Sequence, residues 1–420
     1  MSTKMIEFYP HQEDVLEQTK GRMKCAHYLK MGLGKTFTGA EQMVRLAAEY
    51  NLLVCQKSKV GDWINHITAY YPHLNVTDYT KKDAEIQPGV IVINYELVWR
   101  RPEFKKMSGF TLMLDESSKI MHDTAKVTKF IKKLKYDGLI LLSGTPCGGR
   151  YELFLSQIHM LGWPISKSLF YKQYCVTESF KTTDGMWHKQ VVGYKNIDRL
   201  KRKLADYGAV FMETEDALKL PDVNDQVIKI NPPAQHKQFI NDRIVIVDGE
   251  EIVGDTPLKT MLGCRKICAY HNEDKFAALS DLVESADDRV IVFYNFTAEY
   301  IKAYDAVKHL NRPVSAVNGQ AVNLTAYENC ERSITFVQYQ AGAMGLNLQK
   351  ARRIVYLSPP LQWELFDQSK ARIRRIGQKK TCFYYYLTTT DSVEEKIYKT
   401  LKQRKNFDEI LFLRECIVND

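Results

Sequence analysis

Short apolar runs, punctuated by polar or glycine residues, recur along the chain. "NLLVCQ" (51–56), "GVIVINY" (89–95), "FTLMLDE" (110–116) and "GLILLSG" (138–144) form a first set. Continuous apolar runs of this length read as strands buried on both faces. Helical spacing fills the intervals, as in "TFTGAEQMVRLAAEY" (36–50). Strand and helix in alternation predict a parallel sheet with helices on both sides. A second set, "RVIVFYNF" (289–296), "PVSAVNG" (313–319), "ITFVQYQ" (334–340), "RIVYLSP" (353–359) and "TCFYYYLT" (381–388), predicts a second sheet of the same kind.

The stretch between them, 150–265, is rich in aromatic and basic residues. "CVTESFKTTDGMWHKQVVGY" (175–194) predicts a hairpin turning at Asp184-Gly185. "LKLPDVNDQVIKINPPAQHKQF" (218–239) reads as an extended linker entering a helix, and 392–413 as a charged helix or helix pair.

Composition narrows the class without naming a chemistry. The 420 residues are 45% hydrophobic and 26% charged, enough for two or more cores. The net charge of +9 fits a polyanionic partner such as nucleic acid. No apolar run approaches the ~18 residues of a membrane span, and "MSTKMIEFYPHQ" lacks a secretory core. Nine scattered cysteines include no CxxC pair, so they read as buried free thiols of a reducing cytoplasm rather than zinc ligands.

Three groups carry chemistry. "MGLGKT" (31–36) is the end of a phosphate loop opening a helix. Glycines let backbone N–H groups approach phosphates, Lys35 reaches the β- and γ-phosphates, and Thr36 ligates magnesium. The first glycine of the usual pattern is replaced by Leu29. Asp115 and Glu116 end an apolar strand, where such folds hold magnesium and polarise the attacking water. "LLSGTP" (141–146) ends another strand with two hydroxyls but by itself reads as a turn punctuated by glycine and proline, outside the three groups. The third group is "QSKARIRRIGQKK" (368–380), with six basic side chains. A helix over 362–376, stopped by Gly377, puts Gln368, Arg372 and Arg375 on one face and Lys370 and Arg374 on the other. Two arginines one turn apart suit a γ-phosphate gaining charge.

Taken in order, these blocks resemble the superfamily-two helicases, and among them the Swi/Snf-type DNA translocases, over nearly the whole chain. "FYPHQ" (8–12) resembles the adenine-reading block, with Gln12 as its glutamine. "VCQKSKVGDW" (54–63) and "VINYE" (92–96) resemble the strand-tracking blocks. "LDESSKI" stands for the Asp-Glu-Ala-His block, with Ser117-Ser118 departing from it. "QAGAMGLNLQKARRIVYLSPPLQWELFDQSKARIRRIGQKK" (340–380) matches most fully, and "DSVEEKI" (391–397) resembles the brace helix. Tyr174, Cys175, Gly193, Tyr194, Asn196 and Leu200 resemble the branch of annealing and fork-remodelling helicases. The interval from Gly319 to Gly342 is short for the family. The chain looks like a minimal motor of the kind bacteriophages and mobile elements encode, acting in replication or recombination in the host cytoplasm.

The resemblance implies an α/β fold of two RecA-like parallel-sheet lobes in tandem, with an inserted helical and hairpin segment between them. The expected boundaries are 1–155 for the first lobe, 156–265 for the family-specific insertion together with the end of the first lobe and the linker, 266–390 for the second lobe and 391–420 for the brace. It implies ATP with Mg²⁺ held between the lobes. Lys35, Asp115, Glu116, Arg372 and Arg375 are then catalytic. Gln12, Gly32, Gly34, Lys35, Thr36, Gly345 and Gln368 bind the nucleotide, and Thr36 and Asp115 hold the metal. DNA is the expected partner, gripped at phosphates by Lys57, Ser58 and Asn347. Trp187, with Lys189 nearby, is either a base-stacking residue or the core residue of its hairpin. Lys370, Arg374, Lys379 and Lys380 are candidates for backbone contact or plain solubility. Competing readings are an RNA or single-strand-tracking helicase, and a nucleotide-gated DNA clamp with little hydrolysis.

Overall fold

The computed structural model describes residues 6–181, 187–342, 346–412 and 415–416. The chain forms two compact units, Met1–Leu218 and Lys219–Asp420.

The first unit holds β1 (Lys24–Leu29), β2 (Tyr50–Cys55), β3 (Val76–Asp78), β4 (Gly89–Asn94), β5 (Ser108–Asp115), β6 (Lys135–Leu142), β7 (Cys175–Lys181), β8 (Trp187–Tyr194) and β9 (Ala209–Met212). Seven of them make one sheet in the order β3-β4-β2-β5-β6-β1-β9, parallel throughout. Its alternate residues feed two cores. Leu52, Val54, Leu112 and Leu114 pack with Phe104, Ile131 and Ile158. Leu53, Cys55, Met113 and Ile140 pack with Met43, Trp63 and Ile67 on the opposite face. Because both faces are covered, the strands carry no polar alternation. β7 and β8 form a separate antiparallel ribbon. The predicted turn of that hairpin, Asp184-Gly185, lies outside the described residues.

The second unit holds β10 (Val223–Ile230), β11 (Ile244–Val247), β12 (Glu250–Val253), β13 (Val290–Tyr294), β14 (Val314–Val317), β15 (Val322–Asn323), β16 (Ile334–Gln338), β17 (Arg353–Tyr356) and β18 (Cys382–Thr389). The order is β10-β18-β17-β13-β16-β14-β15, with only β14–β15 antiparallel. β11 and β12 form their own hairpin. The helix Val393–Lys402 is pinned to this unit by a buried ion pair, Lys275 Nζ to Glu394 Oε1 at 2.7 Å.

The two units divide after Leu218, inside the stretch 156–265 expected to hold the insertion, the end of the first lobe and the linker. The stretch between the apolar sets is shared: β9 pairs with β1, and β10 pairs with β18. The extended "linker" is thus in part β10, an edge strand exposed along most of its length, so its polar residues leave no apolar signature. β1 also escaped the apolar pattern because His27 interrupts it. That imidazole is buried between the hydroxyls of Thr19 and Thr38, at 3.4 and 3.2 Å, and burial pulls its pKa down to about 3.

Seven of the nine cysteines are buried, matching the expectation of buried thiols; burial pushes Cys25, Cys147 and Cys264 up to about 12. Among the described residues no helix is long and apolar enough to cross a membrane.

Candidate functional site

In a parallel sheet every strand delivers its following loop to the same edge, and α/β sheets bind ligands there. β1, β6 and β5 are neighbours in the first sheet. Their loops are the glycine loop 30–34, the Ser143–Pro146 segment and Asp115-Glu116.

The glycine loop feeds the helix Lys35–Leu46. Gly32 (φ 87°) and Gly34 (φ 76°) both sit in the left-handed region, which costs a side-chain-bearing residue ~1–2 kcal/mol. Gly34 meets a second constraint, because a Cβ there would lie 2.0 Å from Gln12 Nε2. Gln12 is buried; its Nε2 donates to the Leu33 carbonyl (3.3 Å), and its Oε1 accepts from the Tyr9 amide (3.0 Å). The first helix, Pro10–Gln18, therefore rests on the loop through Gln12. Lys35 Nζ donates to the Leu29 carbonyl at 3.0 Å. It also lies 3.3 Å from the point a Cβ on Gly144 would occupy, so the ammonium abuts the Ser143–Pro146 segment. Thr36 is half-buried at the start of the same helix.

Asp115 is gripped at both of its ends. Trp63 Nε1 donates to its Oδ2 at 2.8 Å, and Tyr95 Oη donates to its main-chain carbonyl at 2.9 Å. Burial, then the neighbouring Glu116, raises the Asp115 pKa, while the Trp63 hydrogen bond and Lys35 act the other way. Glu116 follows at φ 54°, a strained conformation for a residue with a side chain. Its Oε2 accepts from Ser143 Oγ at 3.4 Å.

Ser117 and Ser118, the departures from the family's block, are buried. Ser117 Oγ donates to Gln157 Oε1 at 2.8 Å. The same oxygen accepts from Tyr28 Oη at 3.0 Å, and Gln157 Nε2 donates to the Pro146 carbonyl at 2.6 Å. One amide thus ties β1, the carboxylate loop and the Ser143–Pro146 segment together.

In the second unit the arginine segment differs from the predicted helix over 362–376. The helix is Trp363–Lys370, and residues 371–377 are turns. The physical cause is local: the Arg372 carbonyl accepts from the Leu348 amide at 3.1 Å instead of continuing the helical ladder. The grouping survives by another geometry. Arg372 Nη1 and Arg375 Nη1 each approach the Leu346 carbonyl at 3.5 Å. Arg375 also donates to Asn347 Oδ1 at 2.5 Å. Arg372 is buried and Arg375 half-buried. Gln368 is buried, with Nε2 on Glu364 Oε1 at 3.2 Å. Gly345 lies outside the described residues.

The remaining cations divide. Lys370 pairs with Asp225 on β10 at 3.0 Å and lies over the Tyr384 ring, and Arg374 donates to the Pro221 carbonyl at 3.2 Å. These two fasten the segment to the sheet edge, while Lys379 and Lys380 are exposed. Lys57 and Ser58 are exposed after β2. Lys57 lines an open pocket of about 600 Å³ with Thr80, Asn94, Glu96 and Arg100. Asn347 is exposed but serves Arg375. Trp187 is 71% exposed and so is not the core residue of its hairpin. The residues that resemble the annealing branch make joints at the hairpin's base. Tyr174, Cys175 and Leu200 are buried, Tyr194 Oη donates to Glu152 Oε2 at 2.6 Å, and Asn196 Nδ2 donates to the Gln173 carbonyl at 2.9 Å.

Sequence reasoning missed Trp63, Tyr95 and Gln157 as members of the site. The first two lie inside blocks set aside for strand tracking; Gln157 stands in no recognisable pattern. Among the described residues no three His, Cys, Asp or Glu side chains are grouped to hold a metal. The oxygen donors Thr36 and Asp115 suit magnesium entering with nucleotide phosphates, since that ion commonly takes only one or two carboxylates from protein.

The SNF2-related domain family matches residues 28–273, and the helicase conserved C-terminal domain family matches residues 274–377. The SWI/SNF-related matrix-associated actin-dependent regulator of chromatin subfamily A member 1 of Mus musculus is 23% identical over 93% of this chain and 42% of its own. The DNA repair and recombination protein RAD54 of Saccharomyces cerevisiae is 21% identical over 96% of this chain and 54% of its own. The chain thus spans less than two thirds of either relative. The solved SWI2/SNF2 ATPase core of Sulfolobus solfataricus in complex with dsDNA aligns at 18% identity with a TM-score of 0.46, covering 94% of this chain and 91% of that one.

Proposed function

The chain belongs to the SNF2-related domain family, and on that premise we propose that it is a nucleic-acid-dependent ATPase that moves along duplex DNA. The observation that carries this reading is the convergence of the glycine loop, Asp115-Glu116 and Ser143–Pro146 on one sheet edge, with Lys35 against Gly144 and Glu116 against Ser143. Gly32 and Gly34 leave the backbone open to phosphates, Lys35 neutralises them, and Gln12 reads the adenine beside the loop. Thr36 and Asp115 hold magnesium, which when bound neutralises charge on the phosphates. Glu116 orients water and takes its proton as the new oxygen–phosphorus bond forms and the β–γ bridge breaks. Arg372 and Arg375 stabilise the charge that develops on the transferred phosphoryl group, and Gln368 and Gly345 complete the nucleotide contacts. Lys57, Ser58 and the pocket shared with Arg100 grip DNA phosphates, which makes binding salt-dependent and tolerant of sequence.

The finer reading is a compact motor of fork remodelling, branch migration or unwinding, of the type phages and mobile elements use in the host cytoplasm for replication or recombination. Displacement of a third strand from a triplex by passage along the underlying duplex tests translocation. ATP-dependent displacement by the wild type and none by Lys35→Ala is expected. No displacement, together with turnover driven only by single strands or RNA, would replace this reading with a single-strand-tracking one.

A further inference from the structure

The ribbon β7–β8 leaves the first sheet and carries an indole in solvent. Trp63, Trp163 and Trp363 are each at most 8% exposed, whereas Trp187 is 71% exposed. An exposed indole forgoes the burial that usually places this residue in cores and interfaces. Lys189 follows two residues along the same strand and is also exposed. The helix Ile197–Asp206 follows the ribbon; it buries Leu200 and Leu204 and exposes Arg199, Arg202 and Lys203. Residues 167–206 hold nine Lys and Arg against four Asp and Glu, a net +5 of the chain's +9. More than half of the net charge therefore falls in 40 of 420 residues. The proposed ATP chemistry makes no use of this surface.

We propose that the ribbon and this helix form a second DNA contact that takes unpaired bases, the single-stranded flank of a duplex junction. Trp187 stacks on a base, Lys189 holds the adjoining phosphate, and Arg199 and Arg202, beyond the other end of the ribbon, hold phosphates farther along the strand. The occupant follows from the chemistry. A base inside a duplex has both faces covered by its neighbours, so away from a duplex end an indole on a ribbon finds a free π-face only where the strands part. Stacking on such a face is tolerant of sequence, and the cations supply the salt-dependent part of the grip. The inference rests on the proposed DNA motor and adds what that motor recognises.

The test uses the full chain. Fluorescence anisotropy at one salt concentration compares a forked DNA, a blunt duplex, a DNA single strand and an RNA single strand, for wild type, Trp187→Ala, Trp187→Phe and the Arg199→Ala/Arg202→Ala pair. Wild type is expected to bind the fork more tightly than the blunt duplex. Trp187→Ala should reduce the fork-to-blunt affinity ratio about tenfold, as losing one stacked base does, and Trp187→Phe should restore most of it. The arginine pair should flatten the salt dependence on the fork. A wild type indifferent to unpaired bases overturns the proposal. So does a Trp187→Ala protein that keeps the ratio, or one that loses fork and duplex alike. A preference for the RNA strand over the DNA strand overturns the choice of DNA. Duplex-stimulated ATP hydrolysis by the wild type, run alongside, separates failure of this inference from failure of the motor reading.

Discussion

Replacing Gly34 with alanine strikes the glycine loop in two ways whose sizes can be worked from the geometry. The residue sits at φ 76° and ψ 36°, where an L-side chain costs ~1–2 kcal/mol. Its Cβ would also lie 2.0 Å from Gln12 Nε2, so the glutamine must leave. It then gives up its hydrogen bonds to the Leu33 carbonyl and the Tyr9 amide, each worth ~0.5–1.5 kcal/mol net. Gly34→Ala should therefore destabilise the first unit by ~2–5 kcal/mol and weaken nucleotide binding. Urea unfolding followed by tryptophan fluorescence reads this unit, which holds four of the five tryptophans. A fluorescent nucleotide titration reads the site. Adding Gln12→Ala removes the clash but leaves the backbone strain, so in the Gly34→Ala background it should cost ~1 kcal/mol or more less than in the wild type. Additive costs, or a Gly34→Ala protein as stable as the wild type, would refute the reasoning.

Three further outcomes are expected. Ser117→Ala removes one of the bonds that fix Gln157 between the carboxylate loop and Pro146; steady-state kinetics should show kcat down by about 10- to 100-fold with KM little changed, because the misplaced group is Glu116 and not the phosphate loop. Lys275→Met leaves Glu394 buried and uncompensated and should cost ~3–5 kcal/mol, with Lys275→Met/Glu394→Leu recovering most of it in the same unfolding assay. Glu299 is buried, and burial raises it to about 7 from an ordinary 4.5, against the pull of the Asn295 amide and Lys275. The folded state then binds the extra proton between those values, so this group's contribution is complete below pH ~4.5 and falls as pH rises through about 7. Glu299→Gln keeps an acceptor for the Asn295 and Phe296 amides and should lose that pH dependence between pH 5 and 8.

Both sheets were legible because their central strands are buried on two faces and so read as unbroken apolar runs. Where a strand departs from that condition the pattern fails. β1 carries His27 into the interior, and β10 lies at an edge with most side chains in water. The chemistry of the first unit was legible because phosphate binding needs glycine, lysine and a hydroxyl adjacent in sequence. Gln157 was not, since its partners Tyr28, Ser117 and Pro146 come together only in the fold. The arginine pair was legible by spacing but for a different geometric reason. A helical wheel joins Arg372 and Arg375 through one helix face, whereas the structure joins them through the Leu346 carbonyl after the helix has ended. The same wheel puts Lys370 and Arg374 on the opposite face, where Asp225 on β10 takes the lysine and the Pro221 carbonyl just before that strand takes the arginine.

Steady-state ATP hydrolysis at one fixed salt concentration, without nucleic acid and with single-stranded, duplex and forked DNA and RNA, tests the central claim most directly when run on wild type and Arg372→Ala. Stimulation of the wild type by duplex and forked DNA, and a fall of ~10²-fold or more in kcat for Arg372→Ala, is the predicted result. Full DNA-stimulated turnover in Arg372→Ala, or no turnover by the wild type with any of these nucleic acids, would contradict it.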